Sequence, residues 1–419
     1  MIGQLNSLYE LKCETCGGSI YEDLADDTDW DSIYNQIAED LLNNKDYQVN
    51  IDLHLVTAKK LSEAIDKGLK PTREDELKLV ATLKKSIYPF SAAKSFQQML
   101  YYRQMMMEDG SIISKDKFIK KIADTGEIFN KKHLSSEFEN AYYSSIMADK
   151  WDRLDADVLQ YSTAGDSRVR PSHQALDKFT APKTDPFWKN NYPPNGWGCR
   201  CIAVPGKDNY KNTLTPREAG NMLKEENRNT PFYNNVGISK VIFNEKHPYF
   251  YGVNKKLSNL SWEQYGLPTL EKMRAGELAT YKTSTKEDYI NWWAQQPKIK
   301  NDDILITDCI GQPVVLDSIE GKSGNKYSFF KDHILKKEND RRFEYALEIP
   351  NILKFPDEIW LNPKDKETKV YLKMYERGVL KMVVNKDNVA ETLYFIEQDD
   401  SFIKNKVGEA RKGVLMYRK

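Results

Sequence analysis

The sequence predicts an α+β protein, mainly helical over its N-terminal half and closing on a small antiparallel-sheet α+β domain. Three observations predict it. Apolar residues recur at helical spacing between about Trp30 and Met107, and again from Phe138 to Trp151. From about Asp302 the pattern changes to short apolar runs separated by turn residues, which is how strands read. The 419 residues give length for two or three domains, each able to bury its own core. We divide the chain into a helical region 1–110, a segment 111–205, a connector 206–300 and a C-terminal domain 301–419.

Taken in order, Thr72 with Asp75 reads as a capping box, and Leu77, Val80, Leu83 and Ile87 follow on one helical face. The stretch Ser91 to Met107 continues that helix pattern. A second capping box, Ser136 with Glu139, is expected to open a helix carrying Phe138, Tyr142, Ile146 and Trp151. After Pro205 the periodicity weakens, with one helix expected from Lys286 to Gln295; the aromatics there are too many for a free linker. The expected strands are Ile304–Ile306, Val314–Leu316, Glu358–Leu361, Val370–Tyr375, Val379–Val384, Leu393–Ile396 and Val414–Tyr417. Glu376-Arg377-Gly378 makes a short hairpin turn between two of them. Period two puts Tyr371, Lys373 and Tyr375 on one face of their strand and Leu372 and Met374 on the other, so one face is expected to be wet.

Charge and cysteine content exclude some functions. Lys plus Arg equals Asp plus Glu at 62 each, so global charge gives no argument for wholesale binding to nucleic acid or an anionic membrane surface. No apolar run approaches the roughly 18 residues of a membrane span, and no charged-then-apolar leader opens the chain. No membrane partner is expected. Five cysteines, two of them in a Cys-x-Cys too tight for an easy disulfide, fit a chain made in a reducing cytoplasm.

The densest chemistry lies mid-chain: Asp166-Ser167-Arg168-Val169-Arg170-Pro171-Ser172-His173, then Leu176-Asp177, Asp185-Pro186-Phe187-Trp188, and Pro193-Pro194-Asn195-Gly196-Trp197-Gly198-Cys199-Arg200-Cys201. From about Phe118 to Pro205 this run resembles the phage Mu F-type minor head protein family, the phage head morphogenesis family. Lys178 stands where that family usually has Gly. The resemblance implies a few-copy component of the virion near the portal, assembled in the host bacterial cytoplasm with portal and other head proteins as partners. Cys199 and Cys201 with His173 and Asp177 also have the chemistry of zinc ligands, although Cys-x-Cys is tighter than the usual gap and small thiols beside Trp197 can equally fill a core. A structural zinc on His173, Cys199 and Cys201 is one expectation, and a shared cluster with Cys13 and Cys16 is another. Asp166, Arg168 and Arg170 are expected to form ion pairs that shape the loop.

The C-terminal domain resembles phage-borne nucleases of the barnase/EndoU/colicin/RelE type. The resemblance rests on the order of a helix with His333, the run Ile349-Pro350-Asn351-Ile352-Leu353 to Pro356-Asp357-Glu358-Ile359-Trp360, a strand hairpin, and Arg411-Lys412-Gly413-Val414-Leu415-Met416-Tyr417. It implies a metal-independent RNase acting as a toxin, with RNA as substrate and an immunity protein as a further partner. Cleavage through the 2′-hydroxyl needs a proton acceptor, a proton donor and a cation for the developing phosphate charge. His333, the sole histidine of this domain, is the acid/base candidate, with Lys373 and Arg411 for the phosphate and Thr392 as hydrogen-bond donor. Tyr371, Lys381 and Arg341 are the candidates for holding substrate. Each has a plainer reading: His333 as a surface histidine at a helix start, the lysines and arginines as solvated charges, Tyr371 as a packed aromatic. From Asp302 to Lys419 there are 21 basic and 21 acidic residues, so RNA affinity has to come from a local patch. A second reading makes this domain a non-catalytic binding module that keeps the fold.

Overall fold

The computed structural model describes residues 2–10, 27–269, 272–273, 278, 280–318, 328–336, 341–362, 367–397 and 406–419. They fall into two compact units, Met1–Lys45 with Asp52–Asn254, and Asp46–Ile51 with Lys255–Lys419.

The first unit is built on helices: α1 (Ile2–Glu10), α2 (Trp30–Leu42), α3 (Ile51–Gly68), α4 (Glu74–Met105), α5 (Lys115–Gly126) and α6 (Leu134–Arg153). At 32 residues, α4 continues through Pro89. Its cap forms one residue later than the sequence pattern suggests. Arg73 is the N-cap, and Glu76 rather than Asp75 closes the box, its Oε2 accepting from the backbone N–H of Thr72 at 2.8 Å and of Arg73 at 3.2 Å. Asp75 instead takes the Arg73 guanidinium at 2.9 Å. The expected cap at Ser136 does not exist. Helix α5 passes through a π-helical stretch, Glu127–His133, directly into α6, so the chain is already helical at Ser136 and leaves no free N–H to cap.

A buried polar network ties these helices together. Lys94 on α4 and Glu137 on α6 pair at 2.6 Å with both side chains inaccessible to solvent. The Tyr9 hydroxyl on α1 donates to the second carboxylate oxygen of Glu137 at 2.6 Å and lies 3.3 Å from His247 Nε2, and the Tyr9 ring stacks on His133 at 3.6 Å. Removing one member of such a pair costs about 3–5 kcal/mol, because it strands the other charge in a medium that cannot solvate it.

After α6 the chain enters the proline- and glycine-rich run and forms a three-stranded antiparallel sheet, β4 (Thr180–Pro182), β3 (Val158–Ser162) and β5 (Ile202–Pro205) in that spatial order. An earlier two-residue hairpin, β1 (Met107–Glu108) with β2 (Ser111–Ile112), links α4 to α5. Apolar periodicity does not mark these strands, since runs of two to five residues show little alternation. Short helices α7 (Pro171–Gln174) and α8 (Pro186–Asn191) sit between the strands of the larger sheet, and α9 (Pro216–Asn227) and α10 (Val236–Ser239) follow it.

The second unit carries a five-stranded antiparallel sheet in the order β11 (Ala390–Glu397), β10 (Gly378–Val384), β9 (Thr368–Tyr375), β8 (Glu358–Asn362), β12 (Val414–Arg418), and a separate hairpin, β6 (Ile304–Thr307) with β7 (Pro313–Leu316). All seven strands lie where the sequence places them, and the helix Lys286–Gln295 has its expected bounds. The wet face of β9 is a correction. Tyr371 (0% exposed) and Tyr375 (1%) are as buried as Leu372 (0%) and Met374 (4%) on the opposite face. Both faces of β9 are covered by other elements, and its tyrosine hydroxyls are satisfied internally: Tyr371 donates to Asp308 Oδ2 and Tyr375 to Glu348 Oε2, each at 2.6 Å. No helix among the described residues is long and apolar enough to cross a membrane.

Candidate functional site

In the second unit, three elements that pack on one another bring candidate residues together. The first is a π-helical turn, Phe329–Leu335, that carries His333. Its start is fixed by Ser328, whose Oγ accepts from the Lys331 N–H, and by the buried Asp317, whose Oδ1 accepts from the Phe329 N–H at 2.7 Å. Phe330 packs on Trp293 and Tyr289 of the helix Lys286–Gln295, with ring centroids 4.4 and 5.4 Å apart. Asp332 is engaged locally: its carboxylate takes the Ser328 N–H at 2.9 Å and Lys336 at 2.6 Å, and the Lys336 hydrogen bond chiefly holds its pKa below the usual range. His333 itself is half-buried.

The second element is the 3-10 helix Arg342–Glu348 and the third is β11. They meet where Arg342 Nη1 donates to Thr392 Oγ1 at 2.7 Å. A guanidinium bonded to a threonine hydroxyl beside a histidine-bearing turn supplies a fixed cation, an O–H donor and an imidazole able to accept or donate a proton. On the neighbouring strand, Lys381 sits opposite Tyr394 of β11, its Nζ 5.3 Å from the ring centroid.

Arg341, the sequence candidate, is instead the residue before the 3-10 helix, in left-handed conformation, strongly exposed and paired with Glu344. Arg342 is the residue the pattern missed. Both arginines are visible in the sequence, but only the backbone turn at Arg341 decides which one faces β11.

Of the other candidates, Arg411 and Tyr371 are buried and Lys373 is half-buried. Arg411, 1% exposed, makes a two-pronged pair with the buried Glu358 (Nε to Oε2 2.8 Å, Nη2 to Oε1 2.7 Å), donates to the Pro268 carbonyl and lies over Trp262. Trp360 Nε1 donates to the same carboxylate at 2.8 Å. Those contacts and its near-complete burial put the guanidinium out of reach of a phosphate in solvent, so Arg411 is a core residue. Lys373 Nζ donates to the Phe355 carbonyl at 2.6 Å, and partial burial lowers its pKa. Tyr371 is a packed aromatic beside Lys369, which is itself buried and donates to Gln312 Oε1 at 2.8 Å.

In the first unit, the mid-chain run closes on itself around the small sheet. Arg200 grips Asp166 with two hydrogen bonds of 2.9 and 2.7 Å, the largest cause of a carboxylate pKa held well below its usual range, and Arg168 is a second partner at 3.2 Å. Arg170 Nη2 donates to the Trp197 carbonyl at 2.6 Å, and Gly196 lies so close to that guanidinium that a Cβ there would crowd it at 3.2 Å. Lys178 occupies a positive φ of 67°, the conformation glycine takes without strain, which is why glycine suits this place. Asp177 is not among the residues that converge on the thiols, and its Oδ1 accepts the Thr163 N–H at 2.9 Å and the Thr163 hydroxyl at 2.8 Å. His173, Cys199 and Cys201 do converge, all buried, with their ligating atoms within 4.8 Å of one another. Cys13 and Cys16 lie outside the described residues.

Comparison with known proteins separates the chain in the same way. Residues 106–204 match the family described as Phage Mu protein F like protein. Residues 294–418 match the family described as phage-Barnase-EndoU-ColicinE5/D-RelE like nuclease2. The Mu-like prophage FluMu F protein of Haemophilus influenzae is 40% identical over 62 residues, 15% of this chain and 15% of that protein. The putative capsid assembly protein F of Escherichia phage Mu is 48% identical over 42 residues, 10% of each. The chain thus spans only a small part of the length of these relatives. No solved structure matches it. An F-type segment and a phage nuclease-like domain are fused here in that order.

Proposed function

We propose that this chain is a low-copy phage head component, positioned near the portal through its F-type segment, whose C-terminal domain is a metal-independent endoribonuclease acting as a toxin. One observation carries the enzymatic half: within the segment matching the nuclease family, the His333 turn packs on the two elements joined by the Arg342–Thr392 bond. His333 takes the proton of the 2′-hydroxyl or gives one to the leaving 5′-oxygen, since an imidazole can serve as proton acceptor or donor. Arg342 balances charge building on the phosphoryl oxygens. Because Thr392 Oγ1 accepts from Arg342, its own proton is left to donate to a non-bridging oxygen. Lys381 and Tyr394 lie on adjacent strands and offer a cation and a ring face to an unpaired nucleotide. RNA is the substrate in this reading, other head proteins are partners during assembly in the host cytoplasm, and an immunity protein protects the producing cell.

The test is induced expression of the whole chain in bacteria, with and without His333→Ala, followed by electrophoresis of total RNA. Growth arrest with discrete RNA fragments is expected from the unmodified chain alone. Equal cleavage by both chains would remove His333 from the site. Intact RNA and healthy cells with a folded, unmodified chain would favour the second reading, a binding module. Two observations motivate that alternative: the balance of 21 basic and 21 acidic residues, and the internal engagement of Arg411.

A further inference from the structure

The convergence of His173, Cys199 and Cys201 is chemistry that neither the small sheet nor the nuclease reading uses. His173 Nδ1 lies 3.5 Å from Cys201 Sγ and 3.7 Å from Cys199 Sγ. In a tetrahedral zinc site with Zn–S near 2.3 Å and Zn–N near 2.0–2.1 Å, nitrogen and sulfur ligands stand about 3.6 Å apart along each edge. The spacing is therefore that of ligands sharing one ion. The three residues are 2%, 4% and 6% exposed, and they border a pocket of about 10 Å³, room for a single water-sized occupant. His173 Nε2 is buried and makes no hydrogen bond among the described residues, so the thiols at Nδ1 are the polar surroundings that orient the ring.

The sequence holds the three donors on separate short elements. His173 lies in α7, whose first residue is Pro171; Cys199 follows a turn in which its N–H bonds the Gly196 carbonyl; Cys201 stands immediately before β5. Positive φ at Gly196 and Gly198 lets the Cys-x-Cys fold back on the histidine. Nearby acids are occupied elsewhere, Asp166 by Arg200 and Asp177 by Thr163, so they do not compete as ligands. Two thiolates and a neutral imidazole around a divalent ion sum to no net charge, which limits the cost of burying the group.

We infer that His173, Cys199 and Cys201 form a three-ligand site for Zn²⁺ that pins α7 and the Cys-x-Cys onto the small sheet, with the fourth position left to water or to a ligand outside the described residues. The experiment uses the full chain, purified under reducing conditions, with metal content by mass spectrometry and a titration with Co²⁺ followed by absorption. One metal per chain and a thiolate-to-cobalt charge-transfer band are expected, and both are expected to be lost in Cys199→Ser/Cys201→Ser. Should that variant not fold by circular dichroism, His173→Gln, which keeps both thiols, is expected to weaken cobalt binding by about tenfold or more. Absence of stoichiometric uptake, or a cobalt spectrum without the thiolate band, would overturn the inference. So would metal that survives in Cys199→Ser/Cys201→Ser and disappears in Cys13→Ser/Cys16→Ser, which would place the ion on the other cysteine pair.

Discussion

Arg341 and Arg342 are adjacent and chemically identical, yet the structure gives them different fates. Arg341 is the strongly exposed one and pairs with Glu344, whereas Arg342 meets Thr392 on a strand 50 residues away. Exposed ion pairs contribute about 0–1 kcal/mol, so Arg341→Ala is expected to leave both stability and RNA cleavage close to unchanged. Arg342→Ala removes a cation from the proposed phosphate position and is expected to lower cleavage by about 100-fold or more, with Arg342→Lys recovering only part of it. Cleavage rates of the two alanine variants on one RNA substrate check this; equal losses would break the assignment. Arg411 illustrates how residue type alone misleads. Its charge suggests phosphate binding, and its burial against Glu358 makes it part of the core instead.

Short elements depend on fit more than on propensity. Helix α10 has only four residues, and it packs on α6 because Gly237 lets the backbone rest directly against Trp151. A Cβ at that position would overlap the Trp151 side chain, whose own backbone carbonyl is held by Lys183 Nζ at 3.0 Å. Gly237→Ala therefore forces the two helices apart and is expected to cost about 1–3 kcal/mol, read as a lowered denaturant midpoint with an unchanged slope. A midpoint equal to that of the unmodified chain would mean that the contact yields without cost. The helix Lys286–Gln295 is the contrasting case. Its capping box, Thr285 with Asp288, is local in sequence, so its start depends on neighbours along the chain and not on tertiary fit.

At the scale of the whole molecule, the buried network of the first unit makes stability depend on pH. Burial, reinforced by Lys94, pushes the His133 pKa down to about 3, and burial with Lys94 and His133 holds His247 well below its ordinary value. A histidine whose folded pKa is depressed takes up a proton more readily once unfolded. Its contribution is therefore complete above about pH 6.5 and declines as pH falls toward the folded value, by up to about 1.4 kcal/mol per pH unit for each histidine. Glu137 acts in the opposite sense, because burial raises its pKa and favours the protonated form. Denaturant melts at pH 7 and pH 5 are expected to show a net loss on acidification. His133→Phe is expected to flatten that slope while costing stability at pH 7 through the lost bond to the Tyr249 hydroxyl, 3.2 Å away. An unchanged slope in the variant would assign the pH dependence to other groups.

The sequence by itself determined the α+β class, the seven strands of the C-terminal domain, the helix Lys286–Gln295 and the two segments that match phage families, because periodicity and motifs are written in residues that are neighbours along the chain. What only the tertiary structure decided was which polar groups face one another. Glu358 with Arg411, Lys94 with Glu137 and Arg342 with Thr392 are 53, 43 and 50 residues apart, and no local pattern encodes such pairings. The same holds for β9, where alternation foretold a wet face. Segments distant in sequence, among them those carrying Asp308 and Glu348, cover the face that alternation left open.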